Sequence, residues 1–407
     1  MVKRNANIAK LKGSYLFPEI ERRKRAYLDN KKDSKLLSLG IGDTTLPIPS
    51  FITKEMAAFS EGLGTFEGYH GYGPPFGGEA LRAALSVHHY QNIIPADDIF
   101  ISDGAKPDIF RLQALFGQDS LISVQDPAYP AFVDTSVLQG RTLGFNEDKP
   151  GYEGITYLPC KPENDFFPDL DKAKGTDLLI LVSPNNPTGK AFNRKELQTI
   201  VDFALKEKIL IIYDAAYSSY IRSKDTPKSI YEIEGAREAA IEMNSFSKMI
   251  GFTGVRCGFT VVPKELHFED GSSIKKDWER IISTCFNGAS NIASMGALRA
   301  LSPDGLRAIK KMTDYYLENA HLLKKEMISL GFEVYGGENA PFIWMRRGKK
   351  EDSWDLFNEF LTKAELIVTP GSGFGPAGNG FIRCSAFIER ESLHQALSRL
   401  KRLYALT

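Results

Sequence analysis

The chain has 407 residues, 43% of them hydrophobic, and its 51 Lys plus Arg balance 51 Asp plus Glu. That length supports a large core and two or three domains, while zero net charge gives no support to nucleic acid or an anionic membrane as a main partner. No run of about 18 apolar residues is present, so no membrane span is expected, and no apolar signal core follows Met1, which points to a cytoplasmic protein.

The first segment is locally basic, with Lys3, Arg4, Lys10, Lys12 and residues 22–25. Glu19 and Glu21 lie on its helix-like part, so it reads as a solvated face. Short apolar runs then alternate with amphipathic stretches. Residues 99–101, 121–124, 178–182, 210–213 and 259–262 read as buried strands, and 108–116 and 194–208 as helices. This alternation predicts a mainly parallel sheet covered on both faces. Ligands bind such sheets beyond the carboxyl ends of the strands.

Polar or turn-forming residues follow these strands at once. They are Ser102-Asp103-Gly104-Ala105-Lys106, Gln125-Asp126-Pro127-Ala128-Tyr129-Pro130, residues 183–189 (Ser-Pro-Asn-Asn-Pro-Thr-Gly) and Asp214-Ala215-Ala216-Tyr217. From about Ala289 the pattern changes. A helical stretch over 304–330 leads into a smaller α+β segment, with strands expected at 342–345, 366–369 and 381–385. The glycine-rich run at 370–375 lacks the Lys-Ser/Thr ending of a nucleotide P-loop and reads as a structural turn near the site. Cys160, Cys257, Cys285 and Cys384 are scattered, which suggests reduced thiols. The adjacent His88 and His89 would diverge on a helix, so no metal site is expected.

Residues 244–256 (Asn-Ser-Phe-Ser-Lys-Met-Ile-Gly-Phe-Thr-Gly-Val-Arg) carry the most chemistry. Lys248 sits beside the hydroxyls of Ser245 and Ser247, with Arg256 further along. A buried, reactive amine is what a Schiff base with a carbonyl cofactor needs. Hydroxyls and a guanidinium suit the cofactor's phosphate. A surface lysine on a Ser/Gly loop explains this stretch equally well when it is taken alone. Gly104-Ala105-Lys106 opens a helix, whose free N–H groups form an anion site or simply an ordinary strand-to-helix turn. Asp214 ends a strand; it suits a protonated ring nitrogen or a helix N-cap. Tyr217 and Asn186 could meet a ring hydroxyl, although Asn186 also suits a turn. Tyr129 could lie on a flat ring or in the core. Arg383, between apolar neighbours, needs an anion: a substrate carboxylate or a structural salt bridge. Together these groups describe pyridoxal 5′-phosphate with an amino-acid substrate.

Residues 183–189, 214–217 and 245–256, in this order, resemble fold-type I pyridoxal-phosphate-dependent aminotransferases of the aspartate aminotransferase superfamily, nearly end to end. Asn5, Tyr15-Leu16-Phe17, Ile41-Gly42-Asp43-Thr44-Thr45, Asp103-Gly104-Ala105-Lys106 and residues 285–290 (Cys-Phe-Asn-Gly-Ala-Ser) are similar to the diaminopimelate-transaminating branch, above all its chlamydial-type members.

The resemblance implies an α/β fold-type I architecture. A large domain, residues 50–290, would carry a mostly parallel seven-stranded sheet covered by helices. Residues 1–49 and 291–407 would form the N-terminal arm and a smaller α+β domain. Lys248, Asp214 and Tyr217 would be catalytic. Ala105, Lys106, Tyr129, Asn186, Asp214, Tyr217, Ser245, Ser247, Lys248 and Arg256 would bind the cofactor, joined by Tyr72 from the partner of a homodimer. Tyr15, Gly42, Lys106, Tyr129, Asn186, Asn287 and Arg383 would bind substrate, with Asn287 also acting across the dimer. The implied reaction exchanges an amino group between LL-2,6-diaminopimelate and 2-oxoglutarate. Related activities are aminotransfer on aspartate or aromatic amino acids, or C–S bond lyase chemistry. One position departs from the family. An acidic residue that helps hold the distal end of diaminopimelate is replaced by Pro75, which has no polar side-chain atom.

Overall fold

The structure is a computed structural model and describes residues 1–12, 16–146, 148, 150–348 and 351–404. Seven strands build the main sheet. They are β1 (Ile99–Ser102), β2 (Ile122–Asp126), β3 (Ile155–Pro159), β4 (Leu178–Val182), β5 (Leu210–Asp214), β6 (Ala240–Ser245) and β7 (Gly258–Val261), in the spatial order β1-β7-β6-β5-β4-β2-β3. β7 runs antiparallel to β1 and β6, and the remaining pairs are parallel. Continuous apolar runs give strands buried on both faces, as a sheet covered by helices requires.

Two strands escape the sequence pattern. β6 contains Glu242 and Asn244, yet every residue in it is buried. Glu242 is held by Tyr90 Oη, Ser229 Oγ and the Ile230 N–H, so its polarity is satisfied inside the core. β3 is an edge strand, and its burial is only partial.

Helix α1 (Ala105–Gln113) starts three residues before the expected 108, immediately after Gly104. A one-turn helix, α2 (Phe246–Ile250), carries Lys248 directly off the end of β6. The parallel strands β1, β2, β4, β5 and β6 therefore deliver Ser102, Asp126, Val182, Asp214 and Ser245 to one edge of the sheet.

A second sheet is antiparallel. It contains β8 (Glu333–Gly336), β9 (Phe342–Arg346), β10 (Thr369–Pro370) and β11 (Ile382–Ser385), in the order β8-β9-β11-β10. The single strand expected over 366–369 is broken. Leu366–Ile367 pairs with Leu37–Ser38 of the N-terminal arm, whereas Thr369–Pro370 pairs with β11. Helix α3 (Pro303–Ser329) joins the two halves. Its Ile309 and Met312 pack into the main-sheet core, and Ala320, Leu323 and Met327 into the core of the small sheet. Midway along it, Tyr316 Oη accepts the N–H groups of Thr45 and Leu46 at 2.8 and 2.7 Å. That contact fixes the arm over the edge where the strands end. Among the described residues, no helix is long and apolar enough to cross a membrane.

Candidate active site

A cavity of about 440 Å³ opens at this edge, walled by both sheets and the arm. Ala105, Lys106, Tyr129, Asn186, Asp214, Tyr217, Ser245, Ser247, Lys248, Arg256, Gly42 and Arg383 all line it, far apart in sequence as they are. Tyr72 and Asn287 do not line this chain's cavity. Both are exposed, Tyr72 at 90%. They do, however, belong to one ledge. A Cβ on Gly288 would lie 3.0 Å from the Pro74 carbonyl oxygen, and one on Gly73 would lie 2.5 Å from Asn291 Oδ1. Tyr15 lies outside the described residues.

Lys248 is not a surface lysine. Its Nζ lies in the cavity and donates to the Gly42 carbonyl. Burial lowers its ammonium to about 8; Asp43 opposes that shift, while Arg383, Arg256 and Lys106 add repulsion. A neutral, nucleophilic amine is therefore accessible close to neutral pH. Asp43 is a lining residue to which the spacing argument gave no role, although it sits in the quoted Ile41–Thr45 stretch.

One end of the cavity is built for an oxyanion. Ser245 caps α2, its Oγ accepting the Ser247 N–H and donating to Ser247 Oγ at 3.0 Å. Arg256, held at φ +68°, donates to Ser247 Oγ and to the Thr253 carbonyl. The start of α1 faces them, and first-turn N–H groups have no partner within the helix. Gly104 permits this closeness. Its φ is +126°, and a Cβ there would lie 2.5 Å from Arg256 Nη2. Gly104→Ala is therefore expected to displace the guanidinium and weaken pyridoxal 5′-phosphate binding about 10- to 100-fold, the worth of one charged hydrogen bond. Equilibrium dialysis of the variant checks this.

The end of β5, the strand next to β6, holds Asp214, only 6% exposed. Its Oδ1 accepts the Ala216 N–H at 2.9 Å, a local turn bond. Burial pushes the carboxyl from its ordinary 3.8 up to about 6, and the Ala216 bond only partly opposes that. A cationic donor in the cavity is what this group needs.

Asn186 Oδ1 accepts from Arg383 Nη1 at 2.7 Å, which leaves the amide N–H groups of Asn186 as the donors. Arg383 is 2% exposed and also donates to the Gly40 carbonyl and Thr369 Oγ1, but its Nε has no partner. Among the described residues no carboxylate pairs with it, so no structural salt bridge holds this residue. Burial holds it down to about 10, so it is still a cation at neutral pH. A buried cation without a counter-charge is costly unless a ligand supplies one.

These groups fit pyridoxal 5′-phosphate and an amino acid: an oxyanion cup, a carboxylate lacking a cation, a reactive amine and a guanidinium lacking an anion. The fold and the cavity thus define an aminotransferase-type enzyme, and the chain belongs to the family Aminotransferase class I and II, which it matches over residues 34–400. Pyridoxal 5′-phosphate is that family's cofactor.

More particular relatives are similar along almost the whole chain. A protein of Oryza sativa subsp. japonica named probable LL-diaminopimelate aminotransferase, chloroplastic, is 54% identical over 99% of this chain and 87% of its own length. The LL-diaminopimelate aminotransferase of Protochlamydia amoebophila is 51% identical, over 98% and 97%. The solved L,L-diaminopimelate aminotransferase of Chlamydomonas reinhardtii superposes with a TM-score of 0.95 at 51% identity, covering 99% of both chains.

The Asp214 environment sets a pH dependence. The folded, cofactor-free chain holds the Asp214 proton more tightly than the unfolded chain does. The group therefore weakens that fold as pH rises from 3.8 to about 6, and the full cost persists above. A ring cation offsets the cost only while Asp214 is ionised. The rise in Tm on adding cofactor is expected to shrink below about pH 6. In Asp214→Asn that part of the pH dependence should vanish. Scanning calorimetry with and without cofactor reads both variants.

Proposed function

We propose that the protein exchanges an amino group between LL-2,6-diaminopimelate and 2-oxoglutarate, giving tetrahydrodipicolinate and glutamate. The observation that carries this reading is the near full-length identity of 51% and 54% to proteins bearing that name. It is supported by a cavity that presents Lys248, Asp214 and Arg383 together.

When bound, pyridoxal 5′-phosphate supplies an aldehyde for the substrate amine and a cationic ring that takes up the electrons left when the α-proton departs. The chain supplies the rest. Ser245, Ser247, Arg256 and the N–H groups of Ala105 and Lys106 would hold the phosphate. Asp214 would keep a proton on the ring nitrogen, and Asn186 and Tyr217 would steady the ring oxygen. Tyr129 would supply a flat face for the ring. Arg383 takes the α-carboxylate, which fixes the α-carbon over Lys248. Lys248 Nζ, in the cavity and close to neutral, would take the substrate's α-proton as a general base and give a proton back as a general acid.

The working unit in this reading is a homodimer. The exposed ledge carrying Tyr72 and Asn287 belongs in the partner's cavity, with Tyr72 at the phosphate and Asn287 at the distal end of the substrate, the end to which the resemblance also assigns Tyr15 and Lys106. Residues 50–290 act as the cofactor domain, with 1–49 and 291–407 as arm and small domain, the first part of 291–407 through Met312 packing on the main-sheet core. The free cysteines favour a reducing compartment such as the cytoplasm. Pro75 removes one polar contact at the distal end, and Asn287 and Lys106 carry the discrimination that remains.

A coupled assay offering LL-diaminopimelate, aspartate, tyrosine and cystathionine in parallel tests the substrate. LL-diaminopimelate is expected to give the highest kcat/KM with glutamate as co-product. A higher kcat/KM for any of the other three would overturn the substrate assignment and leave the cofactor chemistry standing.

A further inference from the structure

We propose that Asp126 is a positioning residue for the reaction, setting the Arg383 guanidinium relative to the loop that carries Tyr129. The inference rests on the reading of Arg383 as the α-carboxylate group. Asp126 lies outside the cavity lining, ends β2 and is 2% exposed. A carboxylate so deep in the core costs stability unless it is doing something its neighbours need.

Its contacts reach across the molecule. Asp126 Oδ2 accepts the N–H of Ala377 at 2.9 Å, 251 residues away in sequence. The turn it grips comes unusually close: a Cβ on Gly375, at φ +134°, would lie 2.1 Å from Asp126 Oδ1. Gly375 therefore has to be glycine for the carboxylate to sit there. Two residues past Asp126, the Ala128 N–H donates to the Phe374 carbonyl at 2.9 Å. Two bonds thus clamp the Phe374–Ala377 turn onto the 126–129 loop.

The two ends of this clamp carry site residues. Tyr129 follows Ala128 directly and lines the cavity. On the other side, the Phe374 ring lies under the Arg383 guanidinium, with Cζ 5.1 Å from the ring centroid. Phe342, 4.6 Å from the same Cζ, packs on the guanidinium from the small sheet. Arg383 belongs to the small sheet and Tyr129 to the loop that follows β2 of the main one, so the distance between them depends on how the two sheets are joined. Asp126 is one side chain at that joint, beside the direct Arg383–Asn186 bond. Its Oδ1 has no hydrogen-bond partner, and burial pushes its carboxyl up to about 7, with Ala377 and Lys161 opposing. Retaining so costly a group fits a residue that holds geometry rather than one that adds stability.

The test compares Asp126→Ala with Asp126→Asn in the cofactor-loaded enzyme. It uses two amino donors that share the α-amino-acid end and differ in chain length and in the distal amine, LL-diaminopimelate and glutamate. The alanine variant is expected to keep its bound cofactor while KM rises at least tenfold for both donors, because the shared α-carboxylate loses its aligned guanidinium. Asparagine retains an acceptor for the Ala377 N–H and is expected to restore KM to within threefold of wild type. A KM unchanged in the alanine variant, with only Tm or the active fraction lowered, means a purely structural role and overturns the proposal. So does an asparagine variant as impaired as alanine. Should alanine fail to fold, Asp126→Ser, whose hydroxyl is too short to reach the Ala377 N–H, takes its place under the same KM criterion. If LL-diaminopimelate is not turned over at all, the substrate reading fails, and the glutamate measurement still decides the role of Asp126.

Discussion

Lys248→Ala is expected to lower turnover at least about a thousandfold while leaving a folded protein that still binds cofactor. Removing the side chain deletes both the amine that holds the cofactor and the group that moves the α-proton. General acid–base transfer alone is worth about 10²- to 10⁴-fold. Among the described residues Lys106 is the other lysine in the cavity lining, and it stands at the start of α1 rather than at the end of β6. Cofactor binding should persist because Ser245, Ser247, Arg256 and Asp214 are untouched. The measurement is steady-state turnover beside a cofactor titration. A small primary amine added to the assay is expected to restore part of the rate, since it can enter the space that Nζ leaves. A variant with more than about a tenth of wild-type turnover would contradict the assigned role.

Arg383→Lys carries the second large effect. The guanidinium is held from behind by Asn186 Oδ1, the Gly40 carbonyl and Thr369 Oγ1, with aromatic rings of Phe342 and Phe374 on its faces. This arrangement fixes a planar fork, which an ammonium cannot reproduce. Losing a bidentate, charge-assisted pair costs about 1.5–3 kcal/mol for each hydrogen bond. A fall of about 10²- to 10³-fold in kcat/KM follows. It should strike amino donor and keto-acid acceptor alike, because both carry the α-carboxylate. Steady-state kinetics with each substrate varied in turn reads this. A fall confined to one substrate, or smaller than about fivefold, would show that Arg383 does not hold that group.

Much of this site was legible because each residue follows a buried strand. Continuous apolar runs located β1, β2, β4, β5 and β7, and the parallel-sheet rule placed what comes next at one edge. Lys248 was ambiguous by its own sequence, and it became informative only beside Asp214, Asn186 and Gly104. β6, which delivers Lys248, left no apolar signature, because Glu242 and Asn244 interrupt it. Only the structure shows that Tyr90, Ser229 and Ile230 satisfy Glu242, against a burial that pushes its carboxyl up to about 7. The choice at Arg383 between salt bridge and ligand clamp was equally closed to sequence, since it turns on a carboxylate that is absent among its neighbours. Asp43 and Phe17 reach the cavity on an arm held by strand pairing at Leu37–Ser38 and by a tyrosine hydroxyl on α3. No periodicity encodes such a contact. Tyr72 and Asn287 mark the remaining boundary: their shared ledge is visible in one chain, and their cavity is not.

The most direct test of the account is a half-reaction. Purified enzyme carrying pyridoxal 5′-phosphate is mixed rapidly with LL-diaminopimelate and no keto acid, and its visible spectrum is followed over a single turnover. The account predicts that the yellow band of the lysine-bound cofactor is lost in one burst, with one keto product per site, and that 2-oxoglutarate then restores the band with release of glutamate. A band that stays unchanged with LL-diaminopimelate but is lost with aspartate, tyrosine or cystathionine would contradict it.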